Sequence, residues 1–237
     1  ITVIDGHGHG AIDPERLDER VFLMRGRDEK VHPWGLDRSV NALAYVGQHA
    51  KAGAPYSHLT HTGNFGMIDI SVNGISVGEY GQLALCAMEL GIPTILACGE
   101  QAFTDEAEAL TPGITTVAGK RGLLPDGLDE LDREAYSKAK LSAVHRSPKR
   151  VRAMIREAAL TAICKLNQNP EAFGYPNIAP PYVRTARVRQ SGDRPPYSTR
   201  DEHPYSITDL LNMPLYKSRR MEVAPCPEPA QNRSSTP

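Results

Sequence analysis

Residues 67–99 read "MIDISVNGISVGEYGQLALCAMELGIPTILACG", and this stretch decides the fold. From Met67 to Glu79 two alternating runs flank Asn73-Gly74. That dipeptide suits the two-residue turn of a β-hairpin, because both central positions need positive φ. From Tyr80 the alternation stops, and the chain reads as a helix ended by Gly91. Ile92 to Gly99 is a short apolar run of the kind that forms a buried strand. A strand following a helix in this way is the repeating unit of an α/β sheet, here with a hairpin attached.

Working outward, the same alternation continues. "ITVID" (1–5) is a strand with β-branched residues ahead of a glycine-rich turn. "DPERLDE" (13–19) predicts a brief helical turn with Asp13 as its cap and Pro14 at the first helical position. "RVFLMR" (20–25) is a second short strand. "ALAYVG" (42–47) is an unbroken apolar run ending in glycine, as a buried parallel strand would. Residues 48–64 have no period and read as a loop. On the other side, "TDEAEAL" (104–110) predicts a helix capped by Thr104, and "GITTVAG" (113–119) another strand. Ser147-Pro148 opens a long amphipathic helix, with Val151, Met154, Ile155, Ala158 and Ala159 at helical spacing.

The predicted fold class is therefore α/β. A mostly parallel sheet is flanked by helices in a three-layer α/β/α-like arrangement, with one attached β-hairpin and an irregular proline-rich C-terminus. Residues 1–190 form the α/β domain. Residues 191–237 form an extension rich in proline, its end "VAPCPEPAQNRSSTP" expected to be disordered.

The 237 residues are 40% hydrophobic, enough for a real core, and the formal net charge is −1. No broad basic surface is implied, so nucleic acid is not an expected partner. No apolar run approaches the ~20 residues of a membrane helix. Of the four cysteines, Cys86, Cys98 and Cys164 lie in apolar runs and read as buried thiols; no two are spaced as a Cys-x-x-Cys pair. Reduced thiols lead us to expect a cytoplasmic protein.

Ligands in α/β sheets bind beyond the carboxyl ends of the strands. Three such ends carry metal-competent side chains: His7 after the first strand, His49 after "ALAYVGQ", and Glu79 closing the hairpin. Each has small neighbours, and imidazole with carboxylate suits zinc. A single histidine at a strand end is more often a surface or hydrogen-bonded residue; three metal-competent ends are more suggestive than one. Asp5-x-His7-x-His9 also fits a second reading. His-x-His on a first strand resembles the metal-binding pair of amidohydrolase barrels, but the later strand "PTILACG" ends without the His or Asp such a site needs. His9 then reads as an exposed loop residue. His32 and His203 sit beside prolines and are expected to be solvated. His145 precedes the helix at Ser147 and reads as a turn residue. His58 and His61 share the loop after His49, a common place for a catalytic residue.

"VGQHAKAGA", "HTGN", "ISVNGISVGEYG" and "PTILACGEQA", in this order and spacing, resemble the D-aminopeptidase family of zinc peptidases. "VIDGHGHGAIDPERLDERVFLMRG" and "SAVHRSPKRVRAMIREAA" extend the resemblance over residues 1–167. It implies two zinc ions per subunit, bound by an Asp-x-Glu on a first strand, two histidines and a later glutamate. Carried over, His7, His49 and Glu79 are metal ligands and His61 is the catalytic histidine. Lys120 matches a family lysine. The implied activity is hydrolysis of short peptides with an N-terminal D-residue such as D-alanine, inside a ring-shaped homo-oligomer. The chain departs from the pattern in three places. The Asp-x-Glu strand would precede Ile1 and is not in this sequence, so the chain is expected to start within the domain. Glu100 replaces the usual aspartate, and residues 122–140 are longer than usual. Two alternatives stay open: a different metal-dependent amidohydrolase using His7 and His9, and a non-catalytic remnant of the family.

Overall fold

The computed structural model describes residues 1–6, 10, 12–26 and 30–215, and three sheets run through them. Strands β1 (Thr2–Asp5) and β2 (Phe22–Arg25) pair in parallel, from Thr2 opposite Phe22 to Asp5 opposite Arg25. Between them the Asp13 carboxylate accepts the Glu15 N–H and starts a single 3-10 turn at Pro14, as Asp-Pro predicts.

The central sheet has the order β3-β6-β7-β8. Strands β3 (Leu43–Gln48), β6 (Thr94–Glu100) and β7 (Thr115–Gly122) are parallel, and β8 (Ala143–His145) runs antiparallel to β7. β6 is buried along nearly its whole length, which its continuous apolar run requires. Ala97 packs with Tyr80 and Ala84 of α1 (Glu79–Leu90) and with Phe103 and Ala107 of α2 (Gln101–Leu110). Leu96 and Cys98 pack with Ala158 and Ala162 of α4 (Pro148–Gln168), which the Ser147 hydroxyl caps by accepting the Arg150 N–H. Helices therefore cover the sheet from two sides, the predicted layered α/β arrangement. A short helix, α3 (Arg133–Lys138), lies in the segment between β7 and β8.

The hairpin belongs to a third sheet. Strands β4 (Met67–Val72) and β5 (Ile75–Ser76) are joined by Asn73 and Gly74 at φ 49° and 81°, the turn foreseen from the dipeptide. β4 also pairs antiparallel with β9 (Tyr182–Val188), and β9 with β10 (Tyr197–His203), giving the order β10-β9-β4-β5. Met67, Ile70 and Val72 of β4 form one core with Leu85 and Cys86 of α1 and with Ile207, Leu210 and Leu211 of α5 (Ile207–Asn212). α1 is thus shared between the two larger sheets, and it begins at Glu79.

Several expectations are corrected. β3 is parallel but not buried: it ends the sheet order, so Val46 is 64% exposed. α2 starts at Gln101, not after Thr104. Thr104 is buried inside the helix, where its hydroxyl donates back to the Gln101 carbonyl at 2.8 Å. Cys164 is exposed on α4. His32 is buried, its N–H and C=O both bonded to the Asn212 amide at 3.0 and 2.8 Å. The proline-rich segment holds more order than its composition suggests. Pro195-Pro196 and Pro204 flank β10 without interrupting it, so every ladder hydrogen bond of that strand is available. The buried Arg184–Asp201 pair locks β10 to β9, with Nη2 to Oδ2 at 2.6 Å. Glu89 of α1 accepts the N–H groups of Ile207 and Thr208 and so anchors α5. Residues 216–237, which include the end expected to be disordered (223–237), lie outside the described residues, as do His7 and His9. Among the described residues no helix is long and apolar enough to cross a membrane.

Candidate metal centre

The site is built where β3 ends. Gly47, at φ +87°, sits in an irregularity of the β3–β6 ladder, between the pairs Val46–Cys98 and Gln48–Gly99. Such a bulge needs a residue free to adopt positive φ, and it re-aims the side chains beyond it. Here those side chains are Gln48 and His49. The partner position also has to be glycine: a Cβ on Gly99 would stand 2.0 Å from the Gln48 carbonyl oxygen.

His49 leaves the strand with Nδ1 2.9 Å from the Ala50 carbonyl oxygen. A carbonyl only accepts, so Nδ1 carries a hydrogen and Nε2 is the ring nitrogen turned toward Glu79. That Nε2 lies 3.6 Å from Glu79 Oε2. His61 repeats the device: Nδ1 donates to the Leu59 carbonyl at 2.8 Å, and Nε2 lies 3.7 Å from Glu79 Oε1. The two imidazoles stack with centroids 4.1 Å apart. Glu79 reaches the same point as the first residue of α1, and each of its oxygens is fixed. Oε1 accepts the Gly63 N–H at 2.9 Å and Oε2 accepts the Gln48 amide at 3.2 Å. Burial alone would raise its pKa, but the His49 imidazole, the Gly63 N–H, Gln48 and His61 outweigh it and hold the carboxyl below its ordinary value.

One donor atom from each of His49, His61 and Glu79 falls within a 4.8 Å cluster. Two imidazole nitrogens and a carboxylate oxygen, with both outer ring nitrogens held on carbonyls, is a donor set that fits zinc. A hollow of about 390 Å³, lined by Lys51, Asp69, Glu106 and Arg187 among others, has none of these three in its wall. The donor chemistry, not the hollow, marks the site.

Two acids brace the loop that carries His61. Glu100, fully buried at the end of β6, accepts the Ala50 N–H on Oε1 at 2.9 Å and the His58 N–H on Oε2 at 2.5 Å. Glu106 of α2 accepts the Lys51 and Gly78 N–H groups at 2.8 and 3.2 Å, tying the residues beside His49 and Glu79 together. Burial pushes Glu106 up to about 7 against those N–H groups and the Lys51 charge. Burial likewise raises Glu100, opposed by its two N–H donors and by Lys120 and Lys140. Thr60 donates to the Ala50 and Lys51 carbonyls, Thr62 accepts the Ala52 N–H, and the Tyr136 hydroxyl accepts the Gly53 N–H.

Of the residues singled out from sequence, His49, His61 and Glu79 come together, and His7 lies outside the described residues. Lys120 is not in this cluster; its ammonium meets His58 instead. Gln48, Glu106 and Tyr136 were not foreseen. Gln48 had a usable signal, since it precedes His49 on the strand end. Glu106 was hidden by the misplaced start of α2.

The family model for D-aminopeptidase matches residues 1–192 of the chain. A curated D-aminopeptidase of Bacillus subtilis (strain 168) is 33% identical over 111 residues, which is 45% of this chain and 39% of that protein. The match thus spans well under half the length of that relative. Among solved structures, the Zn-dependent D-aminopeptidase DppA from Bacillus subtilis, described as a self-compartmentalizing protease, superposes with a TM-score of 0.65. The superposition covers 85% of this chain and 71% of that one at 20% identity, a likeness of fold.

Proposed function

This chain belongs to the D-aminopeptidase family, and we propose that it is a zinc-dependent aminopeptidase acting on short peptides with an N-terminal D-residue, of the D-alanine type. The carrying observation is the His49–His61–Glu79 cluster at the carboxyl end of the sheet. His49 Nε2 and Glu79 would hold the zinc. Bound zinc lowers the pKa of its water to about 7 and polarises a carbonyl.

The remaining chemistry falls to His61. Its Nδ1 is committed to the Leu59 carbonyl, so only Nε2 faces the site. That nitrogen takes a proton from the attacking water and later gives it to the leaving amine. Glu79 Oε1, 3.7 Å away, stabilises the imidazolium between the two transfers. The compactness of the cluster favours a second reading, with His61 as a third ligand. His61→Ala separates them. Retained zinc with turnover lost by about a hundredfold or more supports the acid–base role. Lost zinc makes His61 a ligand. Near-normal turnover with zinc bound overturns both. The D-residue preference is checked by comparing D-alanyl and L-alanyl dipeptides. The description of DppA as self-compartmentalizing supports a homo-oligomer for this chain too, which sedimentation tests.

A further inference from the structure

We propose that His58, Lys120 and His145 form a subsite for the free carboxylate of a short peptide, beside the metal cluster; the proposal rests on the peptidase reading above. Lys120 ends the β6–β7 pairing and stands opposite His145 across the β7–β8 pair. His58 comes to them from the loop: Lys120 Nζ is 3.1 Å from His58 Nδ1, and the His58 and His145 rings meet edge-on at 5.6 Å.

The hydrogen-bond logic fixes what this group presents. An ammonium only donates, so His58 Nδ1 accepts from Lys120 and the ring hydrogen is on Nε2. Burial, Lys120 and His145 all keep the His58 ring below its ordinary pKa, consistent with a neutral imidazole. The His58 Nε2–H bonds the Leu141 backbone, so the group offers the spare N–H bonds of Lys120 and the exposed His145 ring, with His58 holding the ammonium in place.

No carboxylate lies within ion-pair distance of any of the three among the described residues. Glu100, whose carboxyl feels the Lys120 charge, has each oxygen bonded to a backbone N–H. Buried cations elsewhere are compensated: Arg184 by Asp201, Arg189 by three carbonyls, Lys140 by the Ala54 carbonyl and the Ser57 hydroxyl. Here two half-buried donors and an exposed imidazole converge without an acid. An ammonium with no carboxylate in ion-pair distance favours an anion from outside.

The spacing selects a peptide. His58 is three residues from His61, a reach of about 10 Å at most. Its N–H shares the Glu100 carboxylate with Ala50, the residue after His49. An extended chain rises about 3.5 Å per residue, so a peptide of two or three residues spans the gap from scissile carbonyl to carboxylate.

The test uses D-alanyl-D-alanine with its peptide carbonyl reduced to methylene, as the free acid and as the C-terminal amide. Binding to the zinc-supplemented full chain is measured by calorimetry. The acid should bind roughly tenfold more tightly than the amide. Lys120→Met should bring the acid down to the amide, leaving amide affinity and zinc content unchanged. Lys120→Arg should keep the preference, and it tests the proposal even if the methionine variant does not fold. Equal binding of acid and amide, binding of neither, or a parallel loss of both in Lys120→Met overturns the subsite. Failure of the peptidase reading looks different: no zinc-dependent hydrolysis of D-alanyl-D-alanine while the preference for the acid persists.

Discussion

The Glu100 side chain spans the two N–H groups that close the loop between His49 and His61. Glutamine is nearly the same size, but it keeps one oxygen and turns an NH₂ toward a backbone donor. Glu100→Gln should therefore cost about 1–3 kcal/mol in urea unfolding. An unchanged midpoint would remove the bracing role. His32 carries a pH prediction. Burial lowers its pKa from 6.5 to about 4, with Arg184 adding and a Gln82 hydrogen bond opposing. Between those values the unfolded chain binds more protons than the folded one, so stability rises with pH and is lost on acidification. The slope from this residue is roughly 1 kcal/mol per pH unit from pH 6.5 toward 4. His32→Leu should flatten that part of the profile; parallel profiles would refute it. Strand ends pointed to His49 and Glu79, and the loop after His49, with the family resemblance, pointed to His61. It read His32 as solvated because burial beside Pro33 depends on Asn212, 180 residues away. Glu100 was visible only as a departure, since a carboxylate that accepts distant backbone N–H groups leaves no local pattern.

At the scale of elements, the end of β3 decides where His49 points. Gly99→Ala would drive a methyl group into the Gln48 carbonyl, an overlap with backbone that no rotamer change relieves. We expect a loss of about 1–3 kcal/mol, and weaker zinc binding because the strand end must move. Wild-type zinc affinity in that variant would show that the bulge does not aim the ligand. On the far sheet, Arg184→Ala should cost about 3–5 kcal/mol by removing the partner of a buried carboxylate. It should also loosen the end of α5, whose last carbonyls the same guanidinium holds at Leu211 and Met213. Proteolysis of the variant near residues 197–213 is the check. The hairpin was legible because Asn73-Gly74 and the flanking alternation are local. β10 was not: "YSTRDEH" has little apolar character, and it becomes a strand through pairing with β9 and the buried ion pair.

At the scale of the molecule, α1 sits between the central sheet and the antiparallel sheet and starts at Glu79, so a ligand at that helix start touches both cores. Zinc that binds only the folded chain stabilises it by mass action. At a hundredfold over its dissociation constant, the melting temperature should rise by roughly 5–10 °C. Chelation should reverse the shift, and Glu79→Ala should abolish it. A shift that survives Glu79→Ala would place the metal elsewhere. The layered α/β architecture was readable from the period of each segment. The partition into separate sheets was not, because sheet membership is a long-range choice that residues 182–203 make for the hairpin.

Arg189 has no side-chain exposure, lies 3.7 Å over the Tyr136 ring, and donates to the carbonyls of Leu128, Asp129 and Leu131. On a ribosome, the segment carrying those carbonyls emerges some sixty residues before the guanidinium that fastens it, about 3–12 s at ordinary elongation rates. Tyr136 in turn receives the Gly53 N–H, so the loop bearing His61 waits on the same late arrival. Every strand of the central sheet, through His145, has thus been synthesised before the residue that fastens the reactive loop. A stalled or clipped product ending before residue 189 would contain every side chain of the metal cluster and yet lack the fastening that sets them.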